Sequence, residues 1–97
     1  MASGIGSAVI DFGTAPGSNE ASVVVTGQTF ISATSKCEAF VMADDTSADH
    51  TARDHRYFPA LASLTCGTPT AATGFTIHAR SIHKLTGQWS VRWVWVD

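Results

Sequence analysis

The chain has 97 residues, of which 44% are apolar and only 14% charged, with a formal net charge of −2. That length supports one domain with a single modest core, and the low charge beside many Ser, Thr, Ala and Gly suits β-structure whose outer faces are partly covered in an assembly. No basic run exists to attract nucleic acid, no apolar run approaches the roughly 20 residues that span a bilayer, and the opening Met1-Ala2-Ser3-Gly4-Ile5-Gly6 has neither the basic nor the apolar region of a secretory signal.

Residues 1–6 read as an N-terminal arm, and 7–12 as a first strand in which Ala8, Ile10 and Phe12 alternate with Val9 and Asp11. Pro16, Gly17 and their polar neighbours make 13–19 a turn, since Pro presets φ and Gly admits positive φ. The β-branched run at 21–26 is a second strand, closed by Gly27 and Gln28. Residues 36–43 form another, with Cys37, Ala39 and Val41 on one parity and Phe40 and Met42 on the other; two apolar faces predict a strand covered on both sides.

The character then changes. Residues 44–56 are polar and carry Asp44, Asp45, Asp49 and Asp54, so they read as a long loop with at most one helical turn. Thr46 with Asp49, and Thr51 with Asp54, fit a weak N-cap spacing. Tyr57 and Phe58 before Pro59 suit a strand start or an edge. Residues 60–66 read as a strand, although Leu61 and Leu64 also fit helical spacing. Residues 67–74 make a loop, and 75–80 alternate cleanly, with Phe75, Ile77 and Ala79 inward against Thr76, His78 and Arg80; 82–85 continue or bend that strand. In the last stretch, 87–96, Trp89, Val91, Trp93 and Trp95 share one parity, so a strand would present all three indoles on one face. The fold expected is all-β: a single-domain antiparallel sandwich or barrel of about six to eight strands spanning 1–97, with this last strand central. Its core is expected at Val23, Val25, Phe75, Ile77, Trp89, Trp93 and Trp95.

Chemistry has few places to sit. Asp44, Asp45, Asp49, His50, Asp54 and His55 offer oxygen and imidazole ligands for a divalent cation, but no Gly stands at the turn and no Glu ends the run, as a calcium loop requires. A solvated loop is the favoured reading, and no metal or other cofactor is expected. Cys37 and Cys66 belong to no CxxC or Cys/His ligand spacing; with no sign of secretion, two buried thiols on neighbouring strands are expected over a disulfide. Neither thiol sits in a glycine-flanked nucleophile turn, so the chain is not expected to be an enzyme. The indole face could be a stacking platform for a sugar or base, yet its intervening residue is Val91, with no polar group to fix a ligand; core or subunit interface is favoured.

Several stretches carry a likeness. They are Val9-Ile10-Asp11-Phe12-Gly13-Thr14-Ala15-Pro16-Gly17-Ser18, Ala21-Ser22-Val23-Val24-Val25-Thr26-Gly27-Gln28, Glu38-Ala39-Phe40-Val41-Met42, Ala48-Asp49-His50, Asp54-His55, Thr73-Gly74-Phe75-Thr76-Ile77 and Gly87-Gln88-Trp89-Ser90-Val91-Arg92-Trp93-Val94-Trp95. In this order and spacing the chain resembles a family of small virion-associated proteins of tailed bacteriophages. The resemblance implies a β-sandwich, no cofactor and many copies per particle; Cys66 departs from it, where a small or apolar residue would be expected. The function it implies is a head decoration, or cement, protein on the capsid surface, assembled in the host cytoplasm. Such a protein would bind the major capsid protein and copies of itself, with no direct contact to nucleic acid or membrane. Ile5, Val9, Phe12, Asp49, His50, Asp54, His55 and Arg92 are then the expected interface residues. The alternatives are a tail-fibre or head-fibre domain that binds host-surface glycans, and a small metal-dependent enzyme built on 44–55.

Overall fold

The computed structural model describes residues 2–41 and 52–97. Its elements run β1 (Ser3–Asp11), β2 (Ser18–Val25), β3 (Lys36–Phe40), α1 (Ala52–Leu61), β4 (Ala62–Cys66), β5 (Phe75–Leu85) and β6 (Gln88–Val96). The strands form two antiparallel three-stranded sheets, ordered β1-β6-β3 and β2-β5-β4, that enclose one core as an open-edged sandwich rather than a closed barrel. Among the described residues only β4 and β5 are consecutive strands within one sheet; every other connection crosses between sheets. The β5–β6 crossing uses just Thr86 and Gly87, tied to the start of the β1–β2 connection by Phe12 N–H to Gly87 O (3.0 Å) and Gly87 N–H to Gly13 O (2.8 Å).

The tryptophan strand is central, as its composition predicts. β6 lies between β1 and β3, and the two inner rows that span all three strands each set a tryptophan between small residues. Trp95 stands between Gly4 and Cys37, and Trp93 between Gly6 and Ala39. The glycines serve close approach: a Cβ at Gly4 would run into the Trp95 indole, and one at Gly6 into the Trp93 indole. Flat rings thus lie over bare backbone, and Trp89, Val91, Trp93 and Trp95 are all buried. An indole removes about 150–250 Å² from water, which at about 25 cal/mol per Å² is on the order of 4–6 kcal/mol each before the opposing entropy.

The facing sheet contributes Val25, Phe75, Ile77 and Ala79, with Phe75 packed edge-on against Trp93 at 5.5 Å between ring centres. Val23 is half-buried against the same core. Trp95 Nε1–H donates to Gln28 Oε1 (3.0 Å) and Trp89 Nε1–H to Thr86 O (3.2 Å). Trp93 Nε1 is buried without a partner among the described residues, at a cost of about 1–3 kcal/mol.

One end of the sandwich is closed by α1. Phe58, 1% exposed, inserts with its ring 5.0 Å from Trp89 and 6.3 Å from Phe12. At the other end Asp97 joins the two termini: its N–H donates to Ala2 O (3.1 Å), while its carboxylate accepts from Ala2 N–H (2.8 Å) and the Ser35 hydroxyl (3.3 Å). Between β1 and β2, Gly17 N–H donates to Thr14 O (2.7 Å) around a cis Ala15–Pro16 bond. Gly17 has φ +81° and backs onto the Leu85 carbonyl, so no other residue fits there.

Several expectations need correction. Residues 3–6, read as an arm, are the first half of β1, because Trp93 and Trp95 supply the packing that two glycines cannot. Residues 52–56, read as loop, and Tyr57-Phe58-Pro59, read as a strand start, belong to α1; burial of Phe58 outweighs the β-preference of the aromatic pair. Strand 60–66 begins only at Ala62. β3 ends at Phe40 and is an edge strand with Glu38 and Phe40 exposed, not a strand covered on both sides. Residues 42–51 lie outside the described residues.

Candidate functional surfaces

The two outer faces of the sandwich differ in chemistry because the outward parity of each strand differs. On β2-β5-β4 the cross-strand rows are Glu20–Arg80–Ser63 and Ser22–His78–Thr65, with Val24 beside Thr76. Part of this face is an open groove of about 430 Å³, lined by Glu20, Ser22, Thr65, His78 and Arg80. Arg80 Nε lies 3.7 Å from Glu20 Oε1, both strongly exposed, a pair worth at most about 1 kcal/mol. Thr76, His78 and Arg80 were legible as a polar face from alternation alone. Their meeting with Glu20, Ser22, Ser63 and Thr65 was not, because pairing across strands leaves no local mark. No hydrogen bond joins the Ser22 hydroxyl to His78 among the described residues, although the two share a row.

The β1-β6-β3 face is more apolar. Its rows are Ser3–Val96–Lys36, Ile5–Val94–Glu38, Ser7–Arg92–Phe40 and, on two strands, Val9–Ser90 and Asp11–Gln88. Ile5 is 80% exposed and Val9 48%, and Phe40 and Val96 are also open to solvent. Arg92 stands outward between Ser7 and Phe40, with no ion-pair partner among the described residues. Lys36, Glu38 and Asp11 border an apolar strip, and Ser7 and Arg92 interrupt it at its centre.

Of the expected interface residues, Ile5, Val9 and Arg92 lie on this outward face. Phe12 does not: at 3% exposure it is a core residue, because it continues the inward parity of Ala8 and Ile10 just past the end of β1. Asp54 lies half-buried in α1, far in sequence from the exposed strip. Asp49 and His50 are outside the described residues, as is the His55 side chain. The described residues contain no group of three His, Cys, Asp or Glu side chains placed to hold a metal ion; Asp44, Asp45, Asp49 and His50 of the expected polar loop fall outside them.

Cys37 and Cys66 are both free and half-buried, on β3 and β4, the neighbouring edge strands of opposite sheets. Burial pushes both thiols up. Cys66 rises to about 11, with the nearby Cys37 and Glu38 adding to the effect of burial. Each stays protonated at neutral pH and is a poor nucleophile. No helix among the described residues is long and apolar enough to cross a membrane. Comparison with protein-family models, with curated proteins and with solved structures found no match to this chain.

Proposed function

We propose that the chain is a structural component of a phage virion, a head decoration protein that attaches to the major capsid protein and to copies of itself. The support for this reading is the apolar side chains of the outer β1-β6-β3 face, with Ile5, Val9, Phe40 and Val96 exposed and Val94 half-buried, in a chain with so little charge. Exposed apolar residues gathered on one sheet face mark surfaces that function covered. The action would be mechanical. A rigid sandwich fastened across neighbouring capsid subunits adds contacts that must break before the shell expands. The glycan-binding alternative would gain support from exposed tryptophans, and all three are buried here.

The test is mass spectrometry of purified virions from a phage that encodes this chain, followed by release of heads and tails. The expected result is many copies that travel with the heads, and heads that lose DNA at lower temperature once the gene is deleted. Absence of the chain from the particles overturns the reading.

A further inference from the structure

Among the described strands the sandwich has four sheet edges, and three of them carry features that disfavour strand addition. β2 carries Glu20 and a register irregularity between Ser18 and Glu20; β3 is five residues long with Lys36 and Glu38; β4 is also five residues long. β1 differs. It has nine residues, no proline, no register shift against β6, and one charge, Asp11, at its very end.

The terminal hydrogen bonds show which of its groups face outward. Ala2 and Phe12 both bond toward the β6 side, Ala2 O from Asp97 N–H and Phe12 N–H to Gly87 O. Strand residues alternate in the direction of their N–H and C=O, and the register between is unbroken, so the even positions serve β6. The N–H and C=O of Ser3, Ile5, Ser7, Val9 and Asp11 therefore point to the open edge, without a backbone partner among the described residues. Gly4, Gly6 and Ala8 face inward yet stay half-exposed at this edge, beside β2 of the facing sheet.

We propose that this edge pairs with β1 of a second copy, antiparallel about a two-fold axis through Ser7. The sequence of β1 is self-complementary in that register. Ser7 meets Ser7, Ile5 meets Val9 and Ser3 meets Asp11 of the second copy, all as hydrogen-bonded pairs on the outer face. On the inner face Gly4 meets Ile10 and Gly6 meets Ala8, small against larger. No like charges are opposed, the two most exposed apolar residues of the strand cover each other, and all nine residues overlap. A shift of two residues in one direction sets Ile5 against Asp11 and shortens the overlap. A single antiparallel pairing of identical strands has two-fold symmetry and closes on itself, giving one continuous sheet ordered β3-β6-β1-β1-β6-β3. This concerns the free protein in solution and holds or fails separately from the virion reading.

The test is sedimentation and light scattering on the whole chain, with two variants. The wild type is expected at twice 10.2 kDa. Ser7→Pro removes an N–H that β6 does not use, so it should leave far-ultraviolet circular dichroism unchanged while converting the dimer to monomer. Ser7→Cys places two thiols on the axis with Cα atoms about 5.5 Å apart, inside disulfide reach. It should cross-link under mild oxidation by oxidised glutathione, which takes up the two electrons and two protons released, whereas the wild type should not. A wild-type monomer at high micromolar concentration overturns the proposal. So does an oligomer that a folded Ser7→Pro variant retains, or a Ser7→Cys dimer that fails to cross-link.

Discussion

Adding one methyl group at Gly6 tests the packing on which this fold rests. A Cβ there would stand 2.8 Å from Trp93 Cε2 and 3.0 Å from Cη2, with Cζ2 nearer still. Those are mid-ring atoms of a side chain only 6% exposed, braced on its far side by Phe75. The indole has nowhere to retreat, so β1 must move away from β6 or the ring must leave its rotamer. Overpacking of this kind costs about 1–3 kcal/mol, against about 0.5–1 kcal/mol regained from the stiffer unfolded chain. The net expectation for Gly6→Ala is a loss of about 1–2 kcal/mol. For a domain of this size that is a melting temperature lower by roughly 5–15 °C.

Gly67→Ala is the control. Its added Cβ would meet nothing closer than His78 Nε2 at 3.5 Å, so it should be neutral or slightly stabilising. Urea unfolding followed by tryptophan fluorescence reads both. The decisive measurement is a double-mutant cycle with Trp93→Phe, which removes the ring atoms that lie over Gly6. Gly6→Ala should cost distinctly less when combined with Trp93→Phe than it does alone. Equal cost in both backgrounds, or no cost in the wild type, would refute the account of a glycine kept for an overlying ring.

Two further outcomes follow from the core and its thiols. Phe58→Ala should lose about 3–5 kcal/mol in urea melts and alter the near-ultraviolet circular dichroism of Trp89; a loss below about 1 kcal/mol would mean α1 is not the plug its burial indicates. For Cys66, the folded protein keeps a proton that the unfolded chain begins to lose near 9.0, because its thiol rises to about 11. That contribution to stability is complete below pH 9.0 and disappears as pH rises through about 11. Urea midpoints should therefore fall across that window, and Cys66→Ala should fall less steeply; identical slopes would remove the effect.

Alternation along the chain made the inward parity of β5 and β6 legible, because a period of two is a local property of an extended backbone. The same reading failed at both ends of β1. Gly4 and Gly6 have weak strand preference, and only the indoles arriving from β6, at the far end of the chain, give them a reason to be extended. Phe12 was expected at an interface with the rest of the N-terminal segment, although its alternation with Ala8 and Ile10 already pointed inward; Phe58, from a different element, covers it. Tyr57, Phe58 and Pro59 read as strand because their propensities say so. The capping pattern of Thr51 and Asp54 was the signal that a helix begins there, and α1 starts at Ala52.

The amino-acid order by itself determined that this is an all-β chain with a strand of three indoles at its centre, since side-chain alternation and tryptophan's demand for burial require no knowledge of neighbours. Only the tertiary structure decided which strands lie beside β6, that glycines are the surface on which its rings rest, and that β1 is left as the one long unguarded edge among the described strands. Those are properties of pairing between distant segments, where the free energy comes from contacts that no local stretch of sequence contains.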